Sequence, residues 1–404
     1  IVNAYTWLDS VKFDTADAGS ITIAGDQTAA SDSYITLAGP TTLSAGVDLT
    51  ATAGTTGTIN IAAEGGTVTP STTSIISADI FDMQTGTWNE INSTLSTFNI
   101  TDFRITGGTF QRFLSGDGLL VITPYLIADV YGLQGIDSFG VTTAYFKLNQ
   151  NINASVTSSW NNTGTAKGFV PIGGATFPNG EFQGNFDGNN YTISNLYINR
   201  PLELSVGLFG SIDNGAVIKN FILDSATIVG DTVGGVAGSV DAWIGQTTLV
   251  QNIGLINSSI SGNAAAGFSF YLRGAGTVSY PTYITLENCY INNSTITATG
   301  GGSDAKKGYA GGFFITADQA IIEDSYITNS VVQGVSYVGG FGGEVFAETI
   351  VRRNYSSAKV IGSGNYVGGF IGALGDSTGF SDAVNINNNY ALGSVSGAGS
   401  VGGF

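Results

Sequence analysis

The segments YVGGFGGEVF, at residues 337–346, and YVGGFIGALG, at residues 366–375, are nearly the same sequence within one chain of 404 residues. Related segments begin at Val206, Val233, Ala265, Ala310 and Val401. Successive segments begin 27 to 45 residues apart. A unit of this length cannot bury an apolar face alone, but it can bury that face against the next unit. The repetition therefore predicts a stacked repeat protein.

A second apolar run follows these segments after a variable loop, as in IIEDSYITNSVV at residues 321–332. The unit thus has the form strand, turn, strand, turn, strand, which suits the coils of a parallel β-helix. Glycine permits sharp bends without steric cost. We therefore predict that Gly339 and Gly368 lie in equivalent turns on successive coils, and that Phe341 and Phe370 stack inward.

The composition favours a folded all-β protein. Charged residues are only 11% of the chain, hydrophobic residues are 42%, and Gly occupies 59 positions. Ser, Thr and Asn supply most of the polarity, and together with Val, Ile, Tyr and Phe they suit short strands joined by tight turns. The single cysteine, Cys289, excludes an intramolecular disulfide, and we expect it to be a small buried apolar side chain.

The net charge of −17 argues against a nucleic-acid partner, because neutralising phosphates requires clustered Lys and Arg. It also argues against an anionic membrane surface. No run reaches the roughly 18 apolar residues of a membrane helix, and no signal peptide is visible. The 30 carboxylates are scattered, which favours a role in solubility; scattered calcium sites are the alternative.

The pattern of apolar and polar residues divides the chain into three segments. We predict a narrow β-solenoid over residues 1–114, a connecting segment with a short helix over 115–200, and a repeat β-helix over 201–404. In IADVYGLQGI, apolar Ile127, Val130, Leu133 and Ile136 have the spacing of a short amphipathic helix, with an irregular loop as the alternative. The chain closes on VGGF, the start of another repeat, so we expect it to be a fragment of a longer chain.

Several blocks resemble a known family. The segment ITDFRITGGTFQRF at 100–113, the helix candidate after it, YFKLNQNINAS at 145–155, and the block from Gly168 to Asn199 are similar to repeats of filamentous-haemagglutinin-type bacterial adhesins. The VGGF segments resemble the GLUG-motif repeats that often follow. This resemblance implies a secreted or surface-attached β-helical rod. Relatives often carry Asp-Ile-Asp where this chain has Asn151, Ile152 and Asn153, so any metal role of those carboxylates is lost.

We therefore expect an extracellular structural and adhesive rod without catalysis, bound metal or cofactor. Its partner would be a glycan or protein on a host cell, a neighbouring cell or a matrix. One alternative is the subunit of a self-assembling extracellular filament or sheath that associates end to end, because a solenoid exposes strand edges at both ends. A β-helical polysaccharide lyase or glycosidase is a further alternative.

An enzyme of that kind would need carboxylates facing one another across a sugar. The nearest candidates are Asp187, Glu323 and Asp324. We predict that Asp187 instead makes an Asx-type turn with Gly188. Glu323 and Asp324 are adjacent on a predicted strand, so they should point to opposite faces and could not line one groove. No catalytic, metal-binding or cofactor-binding residue is predicted.

Nine N-x-S/T sequons occur, and in a chain this rich in Asn, Ser and Thr chance alone produces many. They begin at Asn92, Asn99, Asn153, Asn161, Asn190, Asn257, Asn292, Asn293 and Asn354. The sequence leaves open whether they carry glycans; any glycan belongs on the outward face.

Overall fold

The computed structural model describes residues 1–404 except 15–18, 31, 53, 55, 140–142, 175–179, 244, 275–282, 301–305, 347 and 376–383. The described residues form two compact units. Unit 1 comprises residues 1–140 and 156–169, and unit 2 comprises 141–155 and 170–404. The boundaries predicted after residues 114 and 200 fall within unit 1 and unit 2 respectively.

The first part of the chain contains β1 (Tyr5–Trp7), β2 (Val11–Phe13), β3 (Ile21–Ile23), β4 (Gln27–Ala29), β5 (Tyr34–Leu37), β6 (Thr41–Leu43), β7 (Leu49–Ala51), β8 (Thr58–Thr69), β9 (Ile75–Ile91), β10 (Thr97–Ile105), β11 (Thr109–Phe113), β12 (Tyr125–Ile127), α1 (Val130–Gly135) and a 3-10 helix (Ile136–Phe139). Residues 145–234 contain β13 (Tyr145–Leu148), β14 (Ile152–Asn153), a 3-10 helix (Ser155–Ser159), β15 (Asn185–Ser194), β16 (Tyr197–Arg200), β17 (Phe209–Ile212), β18 (Val217–Asp224) and β19 (Thr227–Gly234).

The rest of the chain continues with β20 (Ala237–Ala242), β21 (Thr248–Ile256), β22 (Ser259–Ala266), β23 (Ser269–Gly274), β24 (Ile284–Glu287), β25 (Tyr290–Asn292), β26 (Thr295–Ala298), β27 (Ala310–Gly311), β28 (Phe314–Asp318), β29 (Ala320–Glu323), β30 (Tyr326–Thr328), β31 (Val331–Gly334), β32 (Val338–Gly339), β33 (Gly342–Val345), β34 (Ile350–Arg352), β35 (Tyr355–Ser356), β36 (Lys359–Gly362), β37 (Val367–Gly368), β38 (Ile371–Leu374), β39 (Asn385–Asn387), β40 (Tyr390–Ala391), β41 (Val395–Ser396) and β42 (Val401–Gly402).

Unit 1 is built from parallel strands in the order β1-β4-β7-β9-β8-β5-β2. Its core is an aromatic cluster made by buried side chains of β9, β10 and β11. Phe81 stacks on Phe103 with ring centroids 5.4 Å apart, and Trp88 stacks on Phe110 at 6.0 Å. Large apolar rings bury much surface from few residues, which suits a narrow core.

The short helix predicted from the spacing of Ile127, Val130, Leu133 and Ile136 is confirmed as α1 and the 3-10 helix after it, although Ile127 itself ends strand β12. Asp129 caps α1 by accepting a hydrogen bond from the Gly132 amide at 2.8 Å. The same carboxylate accepts from Nε of buried Arg112 at 2.8 Å, so a buried ion pair fixes where the helix begins.

Unit 2 is a parallel β-helix, as predicted. In its described residues the chain winds repeatedly through three sheets. The first sheet has the order β13-β15-β18-β21-β24-β29-β34-β39, the second includes β22-β27-β32-β37-β42, and the third has the order β17-β20-β23-β28-β33-β38. All of these pairings are parallel, as a coil stacked on its predecessor requires.

The repeated segment lies where the second sheet passes into the third. Gly339 pairs with Gly368 in register, so the predicted equivalence is confirmed. The reason for glycine differs from the prediction: neither residue has a positive φ, whereas Tyr337 (φ 54°) and Tyr366 (φ 61°) do. The glycines are needed because a Cβ at Gly339 would lie 1.8 Å from the Gly342 carbonyl oxygen. Close backbone approach excludes a side chain there.

Phenylalanines form an inward column beside this corner, as predicted. Phe341 and Phe370 are fully buried, and their rings stack with centroids 4.8 Å apart and planes within 13°. The column extends to Phe313 on one side, at 4.5 Å, and to Phe404 on the other, at 4.9 Å.

Replacing Phe341 with Ala should lower the free energy of unfolding by roughly 3–5 kcal/mol, because the coils above and below hold the cavity open. Urea titration of the purified chain measures this loss. Leu202→Ala is the control, since Leu202 is 91% exposed and its truncation should change stability by less than about 0.5 kcal/mol. Equal losses in the two variants would contradict the stacked column.

Candidate ligand-binding face

The first sheet of unit 2 bends at residues in the left-handed conformation. The bends lie at Asn220, Asn252, Asn288, Asp324, Arg353 and Asn388, with φ between 53° and 61°. Asparagine tolerates this conformation better than most residues, and its amide can hydrogen-bond locally. Here the amides join successive coils: Asn252 Nδ2 donates to Asn220 Oδ1 at 3.0 Å, and Asn220 Nδ2 donates to Asp187 Oδ1 at 3.0 Å.

A column of tyrosines projects from this sheet, each two residues after a bend. The tyrosine stack consists of Tyr290, Tyr326, Tyr355 and Tyr390, which are in register from β25 to β40. Its centroid separations are 5.7, 5.0 and 5.0 Å, and its planes lie within 17°, 3° and 0° of one another. Gly254 occupies the same register position one coil earlier. A Cβ there would lie 2.4 Å from the Tyr290 ring, so glycine makes room for the first tyrosine.

The stacking of the rings determines which parts of the tyrosine side chains a ligand can contact. The faces of Tyr326 and Tyr355 are covered on both sides by neighbouring rings at 5.7 Å or less. A ligand therefore meets the edges and hydroxyls of these rings rather than their faces. Burial, and then the neighbouring phenols, raise the pKa of Tyr290 and Tyr355, so these hydroxyls stay neutral and can both donate and accept.

Charged side chains flank the tyrosine stack. Arg352 Nε lies 2.5 Å from Glu323 Oε2, and Arg353 Nη2 lies 2.6 Å from the same oxygen. Arg353 also binds Asp324 through Nε at 2.8 Å and Nη2 at 2.7 Å. The hydrogen bond from Arg352 lowers the pKa of Glu323, and that from Arg353 lowers the pKa of Asp324. Both groups are thus ionised and paired.

The prediction that Glu323 and Asp324 point to opposite faces is wrong. Glu323 ends β29, and Asp324 has left the strand with φ 53°. The alternation of side chains holds only within a strand, so the left-handed residue turns its carboxylate to the same arginine. The two carboxylates do come together, but as partners of Arg353.

The remaining candidates have structural partners. Asp187 accepts a hydrogen bond from the Asn189 amide at 2.8 Å, which confirms the Asx-type turn around Gly188. Asn153 Oδ1 accepts from Asn195 Nδ2 at 3.2 Å, so it joins neighbouring coils. Cys289 is fully buried as expected, and burial raises the pKa of its thiol to about 12. Within the described residues, no group of three or more His, Cys, Asp or Glu could hold a metal ion.

A second tyrosine stack, formed by Tyr309, Tyr337 and Tyr366, precedes the repeated corner of the second sheet. Its centroid separations are 4.3 and 4.6 Å. Sequence reasoning identified neither stack. The sequence does contain one sign of the first stack. Each of its tyrosines directly follows an inward residue of one column, and these residues hydrogen-bond from coil to coil: Cys289, Ser325, Asn354 and Asn389.

A carboxyl pair lies beside the third sheet. Glu181 hydrogen-bonds to Asp213, which is fully buried. Burial, followed by the Asp213 hydrogen bond and charge, raises the pKa of Glu181 to about 7. Arg273 lies nearby but is bound to Asp241 at 2.6 Å, so it offsets little of this repulsion.

Comparison with known proteins leaves the family open. No family model matches the chain. It is 33% identical over 176 residues, or 43% of its length, to halomucin of Haloquadratum walsbyi (strain DSM 16790 / HBSQ001), and it spans 2% of that protein. A crystal structure from Bacteroides ovatus, described as a "putative immunoglobulin A1 protease", is 16% identical with a TM-score of 0.46, covering 71% of this chain and 86% of that one. Among the described residues, no helix is long and apolar enough to cross a membrane.

The Glu181–Asp213 pair should make stability depend on pH. The folded-state pKa of Glu181 lies above the ordinary value of 4.5, so its stabilising contribution is complete below pH 4.5 and is lost as the pH rises through about 7. Urea titrations across this range should show that loss, and Glu181→Gln should reduce it. Glu64→Gln, at an exposed position in unit 1, should leave it unchanged. A Glu181→Gln profile parallel to the wild-type profile would contradict the shifted pKa.

Removal of divalent metal should not affect folding. Stability comes from stacked apolar columns and parallel ladders, which require no ion. We therefore expect EDTA to leave the melting temperature of the purified chain almost unchanged in differential scanning calorimetry. A fall of many degrees that calcium reverses would show that scattered carboxylates form metal sites.

Proposed function

We propose that this chain is part of an extracellular surface adhesin, of the filamentous-haemagglutinin type with GLUG repeats, and that it acts as a stiff rod without catalysis. The observation that carries the proposal is the tyrosine stack, a regular outward column of hydroxyls on a β-helix. The partial similarity to halomucin supports a place at the cell surface or outside the cell.

The rod function follows from how neighbouring coils are joined. Successive coils are bound to one another by parallel strand pairing in the three sheets and by side-chain hydrogen bonds at the bends, and from Phe268 onward also by stacked phenylalanines. Asn293 Nδ2, for example, donates to Asn257 Oδ1 at 2.8 Å. Because these interactions join adjacent coils, bending one coil away from the next breaks them together.

The adhesive function follows from repetition on one face. The tyrosine hydroxyls recur at the spacing of the coils, beside the paired charges of Glu323, Arg352 and Arg353. Each hydroxyl can exchange hydrogen bonds with a sugar hydroxyl or a peptide group for a modest net gain of about 1 kcal/mol. A polymeric ligand that lies along the column meets several at once, so weak contacts add through multivalency.

Catalysis is not part of the proposal. Glu323 and Asp324 are each bound by arginine and have lowered pKa values, so neither is suited to be a general acid near neutral pH. Asp187 Oδ1 accepts hydrogen bonds from the Asn189 amide and from Asn220 Nδ2. Its carboxylate therefore stabilises the turn and joins this coil to the next.

The adhesive face can be tested with Tyr326→Phe/Tyr355→Phe, which removes two hydroxyls and keeps the stacked rings. The probes are immobilised dextran, hyaluronan, gastric mucin and fibronectin, read by surface plasmon resonance. We expect the wild-type chain to bind at least one probe and the double variant to bind it roughly tenfold more weakly.

The matched control is Tyr309→Phe/Tyr337→Phe in the second tyrosine stack, which should bind as the wild type does. Binding to none of the four surfaces, or equal binding by both double variants, would contradict an adhesive role for the tyrosine stack.

A further inference from the structure

The nine sequons differ in whether the asparagine amide nitrogen, the atom that would carry a glycan, is already used by the fold. Asn354 is fully buried. Its Nδ2 donates to the carbonyls of Ile322, at 2.9 Å, and Arg352, at 3.0 Å, while its Oδ1 accepts from the Ser325 amide at 2.9 Å. A glycan there is incompatible with the core.

Three exposed or half-exposed sequons also use this nitrogen. Asn257 Nδ2 donates to Asp224 Oδ1 at 2.8 Å, and Asn293 Nδ2 donates to Asn257 Oδ1 at 2.8 Å. Asn161 Nδ2 donates to the Gly168 carbonyl at 2.8 Å. A sugar would have to share a nitrogen that already faces a neighbouring chain segment, so these asparagines serve the fold.

Four further sequons are constrained by their surroundings. Asn99 Nδ2 donates to Ser77 Oγ at 3.3 Å. Asn153 ends β14, which pairs with β15, and its Oδ1 already accepts from Asn195 Nδ2 at 3.2 Å. Asn190 has a left-handed backbone (φ 64°) at an irregularity within β15, between residues on both sides that pair with β18. The sequon at Asn292 ends in a buried serine, whose hydroxyl is out of reach of an enzyme.

Asn92 meets every requirement of an acceptor. It lies in the connection between β9 and β10, outside both strands, and both Asn92 and Thr94 are exposed. Its Oδ1 accepts from Ser93 Oγ at 3.5 Å, while its Nδ2 has no partner among the described residues. The Asn92 backbone amide donates to the Phe113 carbonyl at 3.0 Å, so the side chain projects from an anchored point.

The other end of this connection is anchored as well. The Ser96 amide donates to Glu90 Oε1, and Arg112 Nη2 donates to the Ser96 carbonyl at 2.7 Å. Arg112, Glu90 and Ser96 are all buried. The exposed turn therefore stands on a buried ion-pair network and can carry a bulky group without loss of any described hydrogen bond.

We propose that Asn92 carries an N-linked oligosaccharide and that the bend asparagines do not. In the transfer, Asn92 Nδ2 attacks the anomeric carbon of a lipid-phosphate-activated sugar. A C–N bond forms, the C–O bond to phosphate breaks, the phosphate leaves with the electron pair, and one amide proton is lost to a base of the transferase. This inference depends on the proposed extracellular location, because such transferases act during export.

The test is glycopeptide mass spectrometry of the full chain recovered from its own cells, combined with protease treatment of intact cells to establish location. We expect a hexose-containing mass on the peptide with Asn92 and an unmodified peptide with Asn354. Thr94→Ala should abolish the modification and Thr94→Ser should retain it, since the sequon needs a hydroxyl. Asn257→Gln should leave the modified peptide unchanged.

The outcomes separate the two proposals. A protease-sensitive surface protein whose Asn92 peptide is entirely unmodified overturns the glycan while leaving the adhesin intact. A modification that persists in Thr94→Ala also overturns it. A chain that resists protease in intact cells and carries no glycan overturns both.

Discussion

Parallel, in-register pairing between successive coils is the constraint on which the rest of unit 2 depends. Because each residue lies directly over its equivalent, similar side chains form columns: phenylalanines inward at the corner, asparagines at the bends, tyrosines outward. Each column adds to stability only if the register holds in all of them. A shift of one residue would turn every inward side chain of a strand toward solvent, so the columns fix the register together.

The fold could be predicted because this constraint leaves a direct trace in the sequence. The pairing of Gly339 with Gly368, and of Phe341 with Phe370, is visible in the repeated letters. The short helix was predicted from the spacing of four apolar residues, of which Val130, Leu133 and Ile136 lie in the helical segment. The sequence did not show the backbone conformation of the individual residues in this segment. Nothing in YVGGF indicates that the tyrosine, a bulky residue that rarely has a positive φ, takes the left-handed bend while the glycines serve close approach.

The candidate site was harder to predict for a related reason. Its tyrosines recur with unequal spacing, because the loops between coils differ in length, so no fixed period exposes them. They emerge only when the coils are aligned on the inward column from Cys289 to Asn389. Glu323 and Asp324 were misjudged because strand alternation was assumed to continue through a bend. For the tyrosines and for the two carboxylates alike, the sequence did not show which residues have the left-handed conformation. Several residue types take that conformation in this chain, so the sequence alone does not locate the bends.

The close similarity of successive repeated segments has a consequence for how such a chain changes over generations. Segments that nearly repeat at the protein level are sites where misaligned recombination of the coding sequence adds or removes a whole repeat. Where neighbouring coils carry the same columns, as the coils of Phe341 and Phe370 and of Tyr326 and Tyr355 do, the product would still stack, with Phe on Phe and Tyr on Tyr. The number of coils in the β-helix can thus change by whole repeats, whereas a gain or loss of a single residue within a strand would shift the register.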